Sequence, residues 1–305
     1  MNRHSKKRFS AILLLIVAGL LSGTGAQAQC SADGIAPPVD ELLQAADRMV
    51  AALQAHDRQA WIDAFAQGAI VEDPLGSMRL APDDFYDTFL ATSQVQYVSH
   101  LDIAAGMAVA RDITVTMTLK TGLAMTVDAH SLYEMALDNG QYKVCHVSAC
   151  WEMAGMVKQF SSAGIKGLIT TLWFCGNMIK KQGLRGLLVY MKGAATGISG
   201  KGHAAVESFA GAVESGDGDT LAALFDSQDP CLEFPAGSQM LKPRDFLASL
   251  APGSVMTVCE LTSAGWFTTC LFSLGTASSS AQGIAFFEFN PVTAKIKAVR
   301  LYRKE

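Results

Sequence analysis

Apolar positions change their period along each half of this 305-residue chain. Val39, Leu42, Leu43, Ala46, Met49, Val50 and Leu53 recur at helical spacing, which predicts one long helix with a single apolar face. Asp57 stands where it can cap a shorter helix that buries Trp61, Ala64 and Phe65. From Ala69 the pattern alternates, and Pro82 suits the first turn of a third helix. Alternation then predicts strands at about residues 97–103, 109–120, 125–137 and 142–153, with Asp138-Asn139-Gly140 as a hairpin turn. From about His203 the same order returns. Ala205, Phe209, Ala212 and Val213 mark a helix; Leu221, Leu224 and Phe225 mark a second; a third helix and three or four strands follow.

The recurrence is visible in the letters. VEDPLGSMRLAPDDF begins at Val71 and LEFPAGSQMLKPRDF at Leu232, in gapless register through Pro74/Pro235, Gly76/Gly237, Leu80/Leu241, Pro82/Pro243 and Phe85/Phe246. Strand parity puts Ala69, Val71 and Asp73 on one face and Glu72 on the other. The apolar face is the inner one, so Asp73 points inward with Val71. In the second copy Leu232 and Phe234 take that face. An inward carboxylate in apolar surroundings costs several kcal/mol unless paired, hydrogen-bonded or protonated. Only the first copy carries that cost, and Phe234 is expected to fill the second interior. On a later strand, parity turns Met125, Val127, Ala129, Ser131, Tyr133, Met135 and Leu137 inward together.

AHDRQAWIDAFAQGAIVEDPLG, followed by a helix and long hairpins, resembles the ketosteroid isomerase branch of the NTF2-like (SnoaL-like) superfamily, and the second half resembles a more diverged copy. The resemblance implies an α+β fold: two tandem cones, each a curved antiparallel sheet wrapped around a long N-terminal helix. Residues 37–153 form the first, 203–305 the second, and 154–202 a helical linker. It implies a pocket for a small apolar, steroid- or lipid-like ligand, lined by Met49, Val71, Phe89, Leu90, Ser131 and Trp151, with no cofactor and no metal. Asp73 falls at the family's general base. Two family tyrosines are replaced by Met49 and Leu90, and Tyr133 stands where the family has a protonated Asp that donates to an oxyanion. Asp73 can equally cap the Pro74–Ser77 turn, and Tyr133 can equally be a core tyrosine. The expected function is ligand binding with Asp-based proton transfer. The alternatives are a steroid Δ-isomerase, or an epoxide-opening cyclase or hydrolase of the tandem type.

Charge and cysteines complete the reading. Residues 1–28 combine a basic start, an apolar run and Ala26-Gln27-Ala28, which reads as a signal peptide and predicts an exported protein, periplasmic or secreted. A formal net charge of −4 offers nucleic acid no general attraction. Yet residues 153–206 contain seven basic residues and no Asp or Glu. This stretch is also apolar at helical spacing. It can lie on an anionic membrane surface or pack as a helical hairpin on the acidic domains. The two units can pair within the chain or through a homodimer. Seven cysteines follow residue 28, and a hairpin centred between Ala264 and Gly265 would set Cys259 opposite Cys270 as a disulfide; two buried free thiols are the alternative.

Overall fold

The computed structural model describes residues 37–226 and 231–304; the leader expected over residues 1–28 lies outside them. The first unit opens with α1 (Val39–Gln54), whose buried face carries Leu42, Ala45, Ala46, Met49 and Val50. Asp57 accepts from the Ala60 amide and starts α2 (Arg58–Asp63), which buries Trp61. Then come β1 (Phe65–Glu72), β2 (Arg79–Leu80) and α3 (Pro82–Phe85), which runs into a π-helical turn, Tyr86–Leu90. Two long hairpins follow: β3 (Ser93–Ala105) with β4 (Ala108–Leu119), and β5 (Ala124–Asp138) with β6 (Gln141–Cys150). Asn139 and Gly140, both at positive φ, turn the second hairpin. The strand order is β2-β1-β6-β5-β4-β3, antiparallel except for the parallel β1–β6 pair.

The second unit repeats this plan with α6 (Gly200–Ser215), α7 (Gly218–Leu224), β7 (Cys231–Glu233), β8 (Met240–Leu241), α8 (Pro243–Ser249) and β9 to β12 (Val255–Ala264, Phe267–Thr276, Ser279–Phe289, Ile296–Arg303). Its strand order, β8-β7-β12-β11-β10-β9, is that of the first sheet. The duplicated passage is duplicated in space too. Glu72 and Glu233 accept from the amides of Gly76 and Gly237 at 2.9 and 3.3 Å, and the peptide bonds before Pro74 and Pro235 are both cis.

Within the chain the two sheets pack back to back. Ala110, Leu132, Ala236, Ile284, Phe286 and Tyr302 make a shared apolar layer between them. His130 Nδ1 meets Thr269 Oγ1 at 2.8 Å, and Arg300 donates to Glu134 at 3.2 Å across the seam. The retained glycines of the repeat explain themselves here. A Cβ on Gly76 would lie 2.6 Å from Gly265 Cα, and one on Gly237 would lie 2.5 Å from Gly106 Cα. Each turn therefore presses its backbone against a hairpin of the other unit.

Two expectations need correction. Cys259 and Cys270 are both free thiols, the first exposed and the second buried. The hairpin actually pairs Ala264 with Phe267, and an extra residue on β9 then shifts the register so that Cys259 faces Leu271. Glu260, at positive φ, sits in this bulge, which turns the two cysteines away from one another. Leu137 is the second correction. It stands at the hairpin end and is 61% exposed, because the inner face of β5 ends with the cone.

Candidate functional site

Alternation along the strands sends Val71, Ile113, Val115, Met117, Val127, Ala129, Val147 and Ala149 into the first cone, opposite Met49 and Leu53 of α1. They enclose a cavity of about 100 Å³. Asp73 and Tyr133 stand on this mainly apolar wall, as parity implies, together with the hydroxyls of Tyr97 and Ser131. Met49, Val71, Leu90, Ser131 and Trp151 line it as well. Phe89 does not. Its ring packs 5.1 Å from Phe85, 6.0 Å from Phe174 and 5.8 Å from Tyr190, under the linker helices.

Asp73 follows the last residue of β1, where the strand gives way to the Pro74 turn. The indole Nε1 of Trp151 donates to its Oδ1 at 2.6 Å. Burial away from water pushes its carboxyl up from 3.8 to about 6, and the Trp151 hydrogen bond only partly opposes that shift. The group thus changes charge close to neutral pH. Glu72, pointing the other way, is held by Arg79 at 2.9 Å and by the Gly76 amide. The turn is therefore closed by Glu72, which leaves Asp73 available to the cavity.

Tyr133 faces the same space, fully buried, and its hydroxyl lies 2.9 Å from that of Tyr97 on β3. The Arg111 guanidinium sits 5.7 Å from the Tyr133 ring centre. It is anchored to Asp47 of α1 at 2.5 Å and lies 3.2 Å from Asp102. Burial raises both phenols above their ordinary value; for Tyr133 this outweighs the opposing hydrogen bond from Tyr97 and the Arg111 charge. Both therefore stay protonated and able to donate. With Tyr97 donating to Tyr133, the Tyr133 hydroxyl hydrogen is free to point at a ligand oxygen.

The linker supplies the roof. α4 (Met153–Ser162) and α5 (Gly164–Ala195) bury Met153, Met156, Phe160, Met178 and Tyr190 against the cone's mouth. Asn177 and Gln182 donate to Thr88 at 2.7 and 2.8 Å, and Lys166 donates to the Gly122 carbonyl at 2.8 Å. α5 bends at Gly183, whose φ of 70° breaks the helix into two arms. Tyr190 lies near enough to Asp73 for the carboxylate to raise its phenol further beyond what burial does. Tyr97, Arg111 and Tyr190 were missing from the sequence reading. Only Tyr97 left a trace there, as an aromatic at the start of an expected strand.

At the matching place in the second cone, among the described residues, an aromatic ring replaces the carboxyl. Phe234, half-buried, sets its edge against Phe246 at 5.3 Å, and Phe209 packs on Phe246 and Phe287. Wider clefts of about 550 and 680 Å³ are lined by charged groups, the first where the two sheets meet and the second beside Asp112, His130 and Glu260. In the latter, Asp112, His130 and Glu260 bring ligand atoms within 4.8 Å of one another. Burial lowers His130 to about 4, so its imidazole is neutral. This donor set can serve a divalent cation, although tetrahedral zinc with bonds near 2.0–2.1 Å needs ligand atoms roughly 3.3 Å apart. The three side chains would have to draw together.

No family model matches the chain, and no curated protein matches it. Solved structures similar to it include a Δ5-3-ketosteroid isomerase from Mycobacterium sp., 21% identical over 38% of this chain and 95% of that one, with a TM-score of 0.34. RV0760c from Mycobacterium tuberculosis, in complex with estradiol-17β-hemisuccinate, is 19% identical over 37% of this chain and 95% of that one, TM-score 0.34. The epoxide hydrolase/cyclase-like SalBIII is 17% identical over 38% and 94%, TM-score 0.34. Each match covers a share of the chain close to one of its two units.

Proposed function

We propose that the first cone binds a small apolar molecule carrying a hydrogen-bond-accepting oxygen, and that Asp73 exchanges a proton with it. The observation that carries this is a single desolvated carboxyl, titrating at about 6, on the wall of an apolar cavity. Tyr133, backed by Tyr97, is suited to donate to the ligand oxygen as negative charge builds there. With a carbonyl ligand this is proton abstraction next to the carbonyl, the chemistry of a Δ-isomerase. With an epoxide, the protonated form of Asp73 could assist ring opening. The isomerase direction is favoured because the paired phenols face the same cavity as the carboxylate.

The cavity of about 100 Å³ is smaller than the 300–1,000 Å³ usual for ligand pockets. A steroid-sized molecule therefore needs the cavity to widen. We place the protein outside the cytoplasm, a reading supported by the leader pattern and by Cys145, which is disulfide-bonded.

The test is organic extraction of the purified protein with mass spectrometry, alongside an absorbance assay on a 3-oxo-Δ5 steroid. An apolar molecule recovered from wild type and from Asp73→Asn, with turnover only by wild type, is the expected result. Failure to extract or bind any apolar probe would overturn the proposal.

A further inference from the structure

The roof helix has a second face. Ile165, Leu168 and Leu172 are 79, 60 and 65% exposed, and Ile179 follows one helical face further on. Their spacing, i, i+3, i+7 and i+14, forms one stripe along the first arm of α5. Past Gly183, on the second arm, Leu184 and Leu188 are exposed too, each at 61%. The opposite face, with Phe174, Met178 and Tyr190, is the one that closes the cone. Soluble monomers rarely leave so many large apolar side chains together in water.

Charge identifies the occupant. Lys180, Arg185 and Lys192 are exposed along the same helix, and no acidic residue occurs between 153 and 206. With the leader set aside, the rest of the chain is strongly acidic. A second copy docking through the same face would set one all-positive surface against another, which opposes association. An anionic lipid surface answers both features at once, because acyl chains accept the leucines and headgroups accept the lysines. Among the described residues no helix is long and apolar enough to cross a membrane. The geometry therefore suits a helix lying in the interface.

We propose that the exposed face of α5 docks on an anionic bilayer, seating the closed mouth of the first cone against the membrane. The docking itself does not depend on what the cavity binds. If the ligand reading also holds, the roof separates the cavity from a source of lipid-soluble molecules.

The full chain without its leader is tested by co-sedimentation with vesicles of mixed phosphatidylcholine and phosphatidylglycerol, and with vesicles of phosphatidylcholine alone. Binding is expected to the mixed vesicles and to fall with salt, since surface attraction is screened over ~10 Å at 0.1 M. Lys180→Gln with Lys192→Gln should weaken it on the order of tenfold at low salt. Leu168→Gln with Leu172→Gln should weaken it at least as much, at every salt concentration. These side chains are exposed, so unchanged melting shows that the fold is intact. Equal, salt-insensitive sedimentation with both vesicle types would overturn the proposal. So would indifference to both double variants, or self-association through this face without vesicle binding. Ligand extraction is read separately, so either proposal can fail alone.

Discussion

Replacing Asp73 with Asn isolates what its burial does to the protein. The carboxyl titrates at 3.8 when freely hydrated and at about 6 in the folded chain, where desolvation is the main cause. Burial raises this acid's affinity for its proton, so the folded state holds a proton that the unfolded state has lost between those two values. The group's contribution is at its best below pH 3.8, declines as pH rises towards 6, and is fully unfavourable above that. A difference of about two units at 1.36 kcal/mol each amounts to roughly 3 kcal/mol. Asn has nearly the same shape, and its amide oxygen can accept from Trp151 Nε1 as the carboxylate does. It carries no charge at any pH. Asp73→Asn is therefore expected to match wild type near pH 3.5 and to exceed it by roughly 3 kcal/mol at pH 7.5. Urea unfolding of both proteins at intervals from pH 3.5 to 8 measures the difference, in which the other carboxylates cancel. A difference independent of pH, or a variant less stable than wild type at pH 7.5, would refute the assignment of Asp73 to a desolvated cavity wall.

Other expectations follow from individual contacts. Tyr133→Phe should lower turnover of a responsive substrate by ~10²-fold, because one oxyanion donor is lost, and should leave ligand affinity less affected; equal turnover would return Tyr133 to a packing role. Gly76→Ala should cost at least about 3 kcal/mol, since its Cβ meets the Gly265 backbone. Gly140→Ala, at similar φ with open space, should cost only about 1 kcal/mol; equal losses would deny the close approach of the two units. Phe234→Ala should cost about 2–3 kcal/mol, less than for a fully buried ring, and should leave the pH dependence set by Asp73 unchanged. A maleimide should label Cys259 in the native protein and Cys270 only after unfolding; a linked Cys259–Cys270 peptide would contradict the bulged register.

Local pattern settled a large part of this molecule. Leu42, Ala46, Met49 and Val50 share one buried helix face because of their 3.6-residue spacing, whereas Val39, expected on that face, is exposed at the helix start. Asp73, Ser131 and Tyr133 point inward because a strand alternates whatever it pairs with. The repeat at Val71 and Leu232 announced two units of one plan, and the change from Asp73 to Phe234 announced that the inward carboxyl of the first has an aromatic ring at its place in the second.

Tertiary structure decided everything that depends on register or on contact between distant segments. Tyr97 reaches Tyr133 because β3 and β5 both pair with β4, across 36 residues. Arg111 is buried beside them by Asp47 of the first helix. A turn that pairs Ala264 with Phe267, followed by one extra residue at Glu260, set Cys259 opposite Leu271 instead of Cys270, a register that no periodicity records. The apolar, basic linker could equally have lain on lipid or on protein by its sequence alone. Folding used one face to roof the cone, with Phe174 and Tyr190 inside, and left Ile165, Leu168 and Leu172 in water. Periodicity is a property of consecutive residues, so the chain states it directly. Register and packing instead depend on which distant surfaces meet, and that is settled only when the whole chain has buried what it can.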